Sequence, residues 1–331
     1  MFYAIPHASH MIQILLSLLG EKFILNNHLQ KYKGKWANNS RVPVHAFVIA
    51  VLLLVILPVF QSCQFNINKA NTNHEVVSNP FLHDYTYSGK YLDITLDTEN
   101  PLAGFWKPDG TLFFMAGRYS NNLAMYAVAD PWQIHTAQFV MAVDIPGENQ
   151  HGLYFRKDGK MMWVFDRTSI WTFEMQEEWD ISTLTQGINT DLSDFVLRGH
   201  DIDFKPDGSI LFIDDRTAST VFEVKLTTPW DVSTGILSYT LDISDQQKEV
   251  RGLVFINNGY AMMLMDTDRA EILQYNLSDP WDISTAVFFD TFDVSSQTRQ
   301  GRGLVFSVDE NIFYVTGRDE QKVFQYEIIG N

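Results

Sequence analysis

Lys205-Pro206-Asp207-Gly208, followed downstream by Pro229-Trp230-Asp231-Val232-Ser233-Thr234, recurs along the chain in both of its halves. The tryptophan half returns as Pro131-Trp132-Gln133-Ile134-His135-Thr136, Trp179-Asp180-Ile181-Ser182-Thr183 and Pro280-Trp281-Asp282-Ile283-Ser284-Thr285, so successive tryptophans stand 47, 51 and 51 residues apart. The glycine half returns as Lys107-Pro108-Asp109-Gly110, Lys157-Asp158-Gly159, Asn257-Asn258-Gly259 and a decayed Val308-Asp309-Glu310-Asn311. A fixed period of this size, carried by segments that alternate like strands, marks the blades of a β-propeller.

The glycine stretches read as hairpin turns. Proline presets the first turn residue, Asp or Asn bonds its own backbone, and Gly takes the left-handed position. A short inner strand precedes each turn, as in Gly252-Leu253-Val254-Phe255. Two more strands follow, as in Ile210-Leu211-Phe212-Ile213 and Thr220-Val221-Phe222-Glu223-Val224, and then the tryptophan turn and a fourth strand, as in Ala286-Val287-Phe288-Phe289. Counting inner strands predicts an all-β, five-bladed propeller over residues 88–331. The fifth unit stops at Asn331 without a fourth strand, and Tyr91 to Leu96 is the expected replacement, closing the ring from the amino-terminal side. In the tryptophan turns, Asp180, Asp231 and Asp282 are expected to accept from the following Ser or Thr amides, while the indole covers the seam between sheets.

These strings resemble the "KPDG…PWDIST" repeats of β-propellers in bacterial secreted proteins and phage structural proteins, a group akin to the WD40-like and NHL-like propellers. The resemblance covers about 240 residues and implies the fold. Propellers host binders and enzymes alike, so it leaves function open. The first tryptophan turn departs with Gln133 and His135, and the second has Glu178 in place of proline.

Residues 1–63 are of another kind. Ala46 to Phe60 is an uncharged apolar run preceded by Lys31, Lys33, Lys35 and Arg41 and followed by Gln61-Ser62-Cys63, the chain's one cysteine. The arrangement resembles a bacterial lipoprotein signal, in which Cys63 would be lipidated. The rival is an uncleaved signal anchor, with the basic residues holding the amino terminus inside. Either reading tethers the propeller to a membrane outside the cytoplasm, periplasmic or on the cell surface, through a polar linker over 64–87. One cysteine excludes an intrachain disulfide. The net charge of −16 disfavours nucleic acid as a partner.

Propeller connectivity puts the glycine and tryptophan turns on one face and gathers polar residues on the other. At the turns between second and third strands stand Arg118, Arg167, Arg216, Thr267 and Arg318, each after Gly117, Asp166, Asp215, Asp266 or Gly317. At the mouth of the channel, near the start of the inner strands, lie His151, His200, Arg251 and Arg302. Arg167 and Arg216 are expected to brace blades against the aspartates beside them. Arg118 and Arg318, neighbours once the ring closes, are the freer pair, and with His151, His200, Arg251 and Arg302 they form the candidate binding set. The two histidines lack a carboxylate in register, so no metal is assigned and no cofactor is implied. Asp203, Asp214 and Glu249 lie nearby without a catalytic motif around them. The expectation is a noncatalytic recognition or scaffold module for a protein or glycan at the cell envelope. The alternatives are a hydrolase or lactonase-like enzyme working at the channel mouth, and a phage-type structural or adhesion protein.

Overall fold

The computed structural model describes residues 84–95, 100–118, 121–147, 149–246 and 249–329. Cys63, the segment 1–63, most of the linker and Leu96 lie outside the described residues. Among the described residues no helix is long and apolar enough to cross a membrane.

Among the described residues, twenty strands form five four-stranded antiparallel sheets. The first strand, β1 (Tyr85–Asp93), belongs to the last sheet. Blade 1 runs β2 (Pro101–Trp106), β3 (Leu112–Gly117), β4 (Asn122–Val128) and β5 (Ala137–Asp144), and blade 2 runs β6 (Gln150–Phe155), β7 (Met161–Asp166), β8 (Ser169–Glu174) and β9 (Ile188–Asp191). Blade 3 comprises β10 (Gly199–Phe204), β11 (Ile210–Asp215), β12 (Thr220–Leu226) and β13 (Gly235–Asp242). Blade 4 comprises β14 (Val250–Ile256), β15 (Ala261–Asp266), β16 (Glu271–Leu277) and β17 (Ala286–Asp293). In blade 5, β18 (Gly301–Phe306), β19 (Ile312–Gly317) and β20 (Lys322–Ile328) are flanked by β1, which pairs Tyr91 with Phe324 and Leu92 with Val323. That strand starts six residues before the stretch expected from the sequence and ends at Asp93.

Five apolar clusters hold the ring, one for each seam between blades. The seam between blades 5 and 1, for example, contains Trp106, Phe113, Tyr314 and Val323. Middle strands are covered on both faces and therefore read as unbroken apolar runs, as in β15, where every residue is buried. Outer strands such as β13 face solvent. Inner strands crowd the axis: a Cβ added at Gly303 would come within 2.5 Å of the Leu102 carbonyl oxygen on the next blade.

The two halves of the repeat are one packing module. Each glycine turn is left-handed, as expected, with Gly208 at φ +74°. The tryptophans are left-handed as well, Trp230 at φ +70°, a conformation that costs an L-residue roughly 1–2 kcal/mol. What holds them is contact with the glycine turn of the same blade. Trp230 N–H donates to the Gly208 carbonyl at 2.9 Å, and its ring lies where a Gly208 Cβ would be, only 2.3 Å from that position. The indole also stacks on Trp163 of blade 2, with ring centroids 5.5 Å apart, covering the seam. Truncating a packed tryptophan costs about 3–5 kcal/mol, more than the backbone strain. Asp180, Asp231 and Asp282 accept from Ser182, Ser233 and Ser284 amides at 3.0–3.1 Å. The departure at Gln133 has a use: its Oε1 accepts from Lys90 Nζ (2.7 Å) and Gln325 Nε2 (3.2 Å) of blade 5.

Candidate functional site at the channel mouth

The chain enters every inner strand from the same end of the ring, and the turns between second and third strands lie at that end. Backbone bonds fix the two sets of loops together: the amides of Arg118, Arg216, Thr267 and Arg318 donate to the carbonyls of Asn100, Arg198, Glu249 and Gln300 at 3.0–3.1 Å. The acceptors are the residues just before inner strands. With Asn149 they make a polar column, Asn100, Asn149, Arg198, Glu249 and Gln300, two positions upstream of the channel-mouth residues singled out from sequence. Reading the repeat register two residues earlier would have found it.

Second positions of the inner strands bring the other candidates to the axis. His151 and His200, on adjacent inner strands, meet edge to face with ring centroids 4.2 Å apart. They are 5% and 2% exposed. Neither ring nitrogen of His151 has a hydrogen-bond partner, nor does Nε2 of His200. Burial, then the positive field of Arg167, Arg118, Arg251 and Arg198, pushes the His151 pKa down to about 2. Burial followed by His151, Arg251, Arg302 and Arg216 holds His200 well below its ordinary value. Both imidazoles are therefore neutral.

Arg302 is 2% exposed, and among the described residues no carboxylate forms an ion pair with it. It donates to Thr267 Oγ1 (2.9 Å) and Gln300 Oε1 (2.7 Å), and burial together with Arg251 and Arg318 lowers its pKa to about 9. Arg251 donates to Glu249 at 2.7 Å. Burial works against ionisation of Glu249, yet hydrogen bonds from Arg251 and Arg216 keep its carboxyl below the usual range. Arg318, a third exposed, pairs with Asp319 at 2.7 Å.

The expected braces are rearranged. Arg216 does tie blade 3 to blade 4, but through Glu249, not Asp215. Asp215 is taken up by four backbone amides, those of Leu197, Arg198, Thr217 and Ala218. Arg118, expected to be freer, donates through Nε to Asn149 at 2.8 Å, tying blade 1 to blade 2. The motif is a turn side chain of one blade reaching the residue that enters the next, which a search for adjacent Asp-Arg pairs could not reveal.

Blade 3 alone carries acids at three inner positions, Asp201, Asp203 and Asp214. Asp201 and Asp203 accept from the Leu253 (3.1 Å) and Phe255 (2.8 Å) amides of β14, locking blade 3 to blade 4. Asp214 Oδ1 accepts from the His200 and Asp201 amides at 2.8 and 2.7 Å. Burial raises Asp203 and Asp214 to about 7, and burial with Asp214 lifts Asp201 well above the carboxylate range. These acids are seam fittings beneath the mouth. Among the described residues, no group of three or more His, Cys, Asp or Glu is arranged to hold a metal ion. Two surface clefts of about 390 and 350 Å³ lie between blades 1 and 2 and between blades 3 and 4, and share no lining residue with the mouth.

No protein-family profile matches the sequence, and no curated protein matches it. Solved structures resemble it weakly. A 6-phosphogluconolactonase candidate from Bacteroides uniformis is 15% identical at TM-score 0.43, covering 65% of this chain and 63% of its own. A second such candidate, from Bacteroides fragilis, is 13% identical at TM-score 0.44 over 70% and 72%. The periplasmic gluconolactonase of Pseudomonas aeruginosa is 17% identical at TM-score 0.40 over 65% and 64%. The chain thus spans under two thirds of the length of the first of these structures.

Proposed function

We propose that this chain is a noncatalytic recognition propeller, tethered outside the cytoplasm by its amino-terminal segment, whose channel mouth receives an anionic group on a protein or glycan partner. One observation carries the reading. Seven of the eleven arginines in the chain, namely 118, 167, 198, 216, 251, 302 and 318, act on one another or on the two histidines at this mouth, although the chain as a whole is at −16. Local charge of one sign against the background steers ligands of the other. The test is calorimetric titration of the full-length protein with citrate, sulfate and a neutral glucose oligosaccharide. The anions should bind with salt-sensitive affinity and the neutral sugar should not. Arg318→Ala should weaken anion binding about tenfold, as loss of one charge-assisted contact of roughly 1.4 kcal/mol would. Binding of the neutral sugar alone would overturn the reading.

A second reading, a lactonase-like hydrolase, draws support from the arginines gathered at the mouth, an arrangement that could steady an oxyanion. It requires δ-gluconolactone or a related lactone to be opened faster than in buffer. The recognition reading requires no such turnover.

A further inference from the structure

We infer that the seam between blades 2 and 3 at the channel mouth is a site for a tetrahedral dianion, a phosphate or a phosphate monoester, which seats on His151, His200 and Arg198 and brings a proton into the imidazole pair. This rests on the reading that the mouth receives an anion.

The location follows from the brace motif. Arg118 of blade 1 finds Asn149 entering blade 2, and Arg216 of blade 3 finds Glu249 entering blade 4. Thr267 of blade 4 accepts from Arg302 of blade 5 and donates to the Gly301 carbonyl at 2.6 Å. Between blades 5 and 1 the turn residue is Arg318 and the entering residue Asn100, whereas between blades 2 and 3 the turn residue is Arg167 and the residue entering the next blade is Arg198, a second cation where the others have an acceptor or a neutral group. His151 and His200 sit at this same seam, one from each blade.

Buried nitrogens there stand without hydrogen-bond partners. Both nitrogens of His151, Nε2 of His200, and the Nε atoms of Arg198 and Arg251 are buried without partners. A buried donor left unpaired carries its desolvation penalty in full, so such a set is complete only with an acceptor present. Five nitrogens from four side chains suit an anion with four oxygens better than a planar carboxylate, which has two. A neutral imidazole can donate from only one nitrogen, whereas the protonated ring donates from both. Burial, and after it the cations facing the pair, Arg118, Arg167, Arg198 and Arg251 on the His151 side and Arg251, Arg302 and Arg216 on the His200 side, keep it uncharged. Asp214 does not offset them at pH 6, because burial raises its pKa to about 7 and leaves it mostly protonated there. Two added negative charges reverse the balance and favour the imidazolium.

Sulfate is the probe, since it stays dianionic from pH 5 to 8 and its own titration drops out. Titrating the full-length protein at pH 6 in two buffers of different ionisation enthalpy should show one proton taken up per sulfate bound. Between the pKa of the pair without anion and that of the loaded pair, affinity should fall about tenfold per pH unit, the slope for one linked proton, and it should level off above the loaded pKa. His151→Gln and His200→Gln should abolish the uptake. If either variant fails to fold, the proton count on the unaltered protein decides alone. Sulfate binding without proton uptake would overturn this inference and leave the anion reading standing, whereas no binding of any anion would overturn both. Comparing inorganic phosphate with glycerol 3-phosphate separates the sources: equal affinity identifies free phosphate, and tighter binding of the ester identifies a phosphate carried on a larger molecule.

Discussion

Asp214→Asn should make the protein less sensitive to alkali. Asp214 is fully buried, and both bonds it accepts go to Oδ1, while Oδ2 has no partner. An asparagine with its oxygen at the Oδ1 position keeps both bonds and removes the titration. The carboxyl rises from 3.8 to about 7 on folding because burial disfavours its charge. With the folded pKa raised, the folded state binds the proton more tightly, so the contribution is fully present below pH 3.8 and is lost as pH climbs to about 7. About three pH units at 1.36 kcal/mol each make a total loss of about 4 kcal/mol, of which about 2 kcal/mol falls between pH 5.5 and 8. Asp203 and Asp201 act in the same direction and stay in the variant. Urea unfolding of the full-length protein at both pH values should show the stability gap between variant and parent shifting by about 2 kcal/mol in favour of the variant at the higher pH. A gap that stays constant would refute the claim that Asp214 is charged at a cost above pH 7.

Gly208→Ala should destabilise by roughly 2–4 kcal/mol in denaturant titrations, combining a left-handed alanine with a Cβ pressed into Trp230; no measurable loss would break the link between the two turns. Deleting Tyr85–Asp93 uncovers the edge of β20 and removes Leu92 from its seam, and should give aggregation or loss of cooperative melting; a soluble truncation of unchanged melting temperature would show that β1 does not close the ring. Cys63→Ser should abolish incorporation of labelled fatty acid and release the protein from membranes. Retention in membranes, with no label in either form, would favour a spanning anchor.

The architecture was legible because packing repeats. A tryptophan turn in each of four units and a glycine turn to receive it must recur at one spacing, and that spacing counted the blades. The left-handed tryptophan backbone was hidden, since only contact with the opposing glycine stabilises it. At the channel mouth, the columns of arginine and histidine were visible as residue types in register. Their partners were not, because Arg216 to Glu249 and Arg118 to Asn149 join positions 33 and 31 residues apart across seams. Asp203 stood without a motif in one dimension and Asp201 was not singled out, and only the approach of β14 turns them into acceptors for its amides.

Selenate carries the geometry and charge of sulfate with a strong anomalous scatterer, so diffraction from crystals soaked in it locates the anion directly. The expected result is an anomalous peak at the channel mouth within hydrogen-bond reach of His151, His200 and Arg198, lost on adding excess phosphate. A mouth without selenate, with peaks only elsewhere on the molecule, would contradict the account.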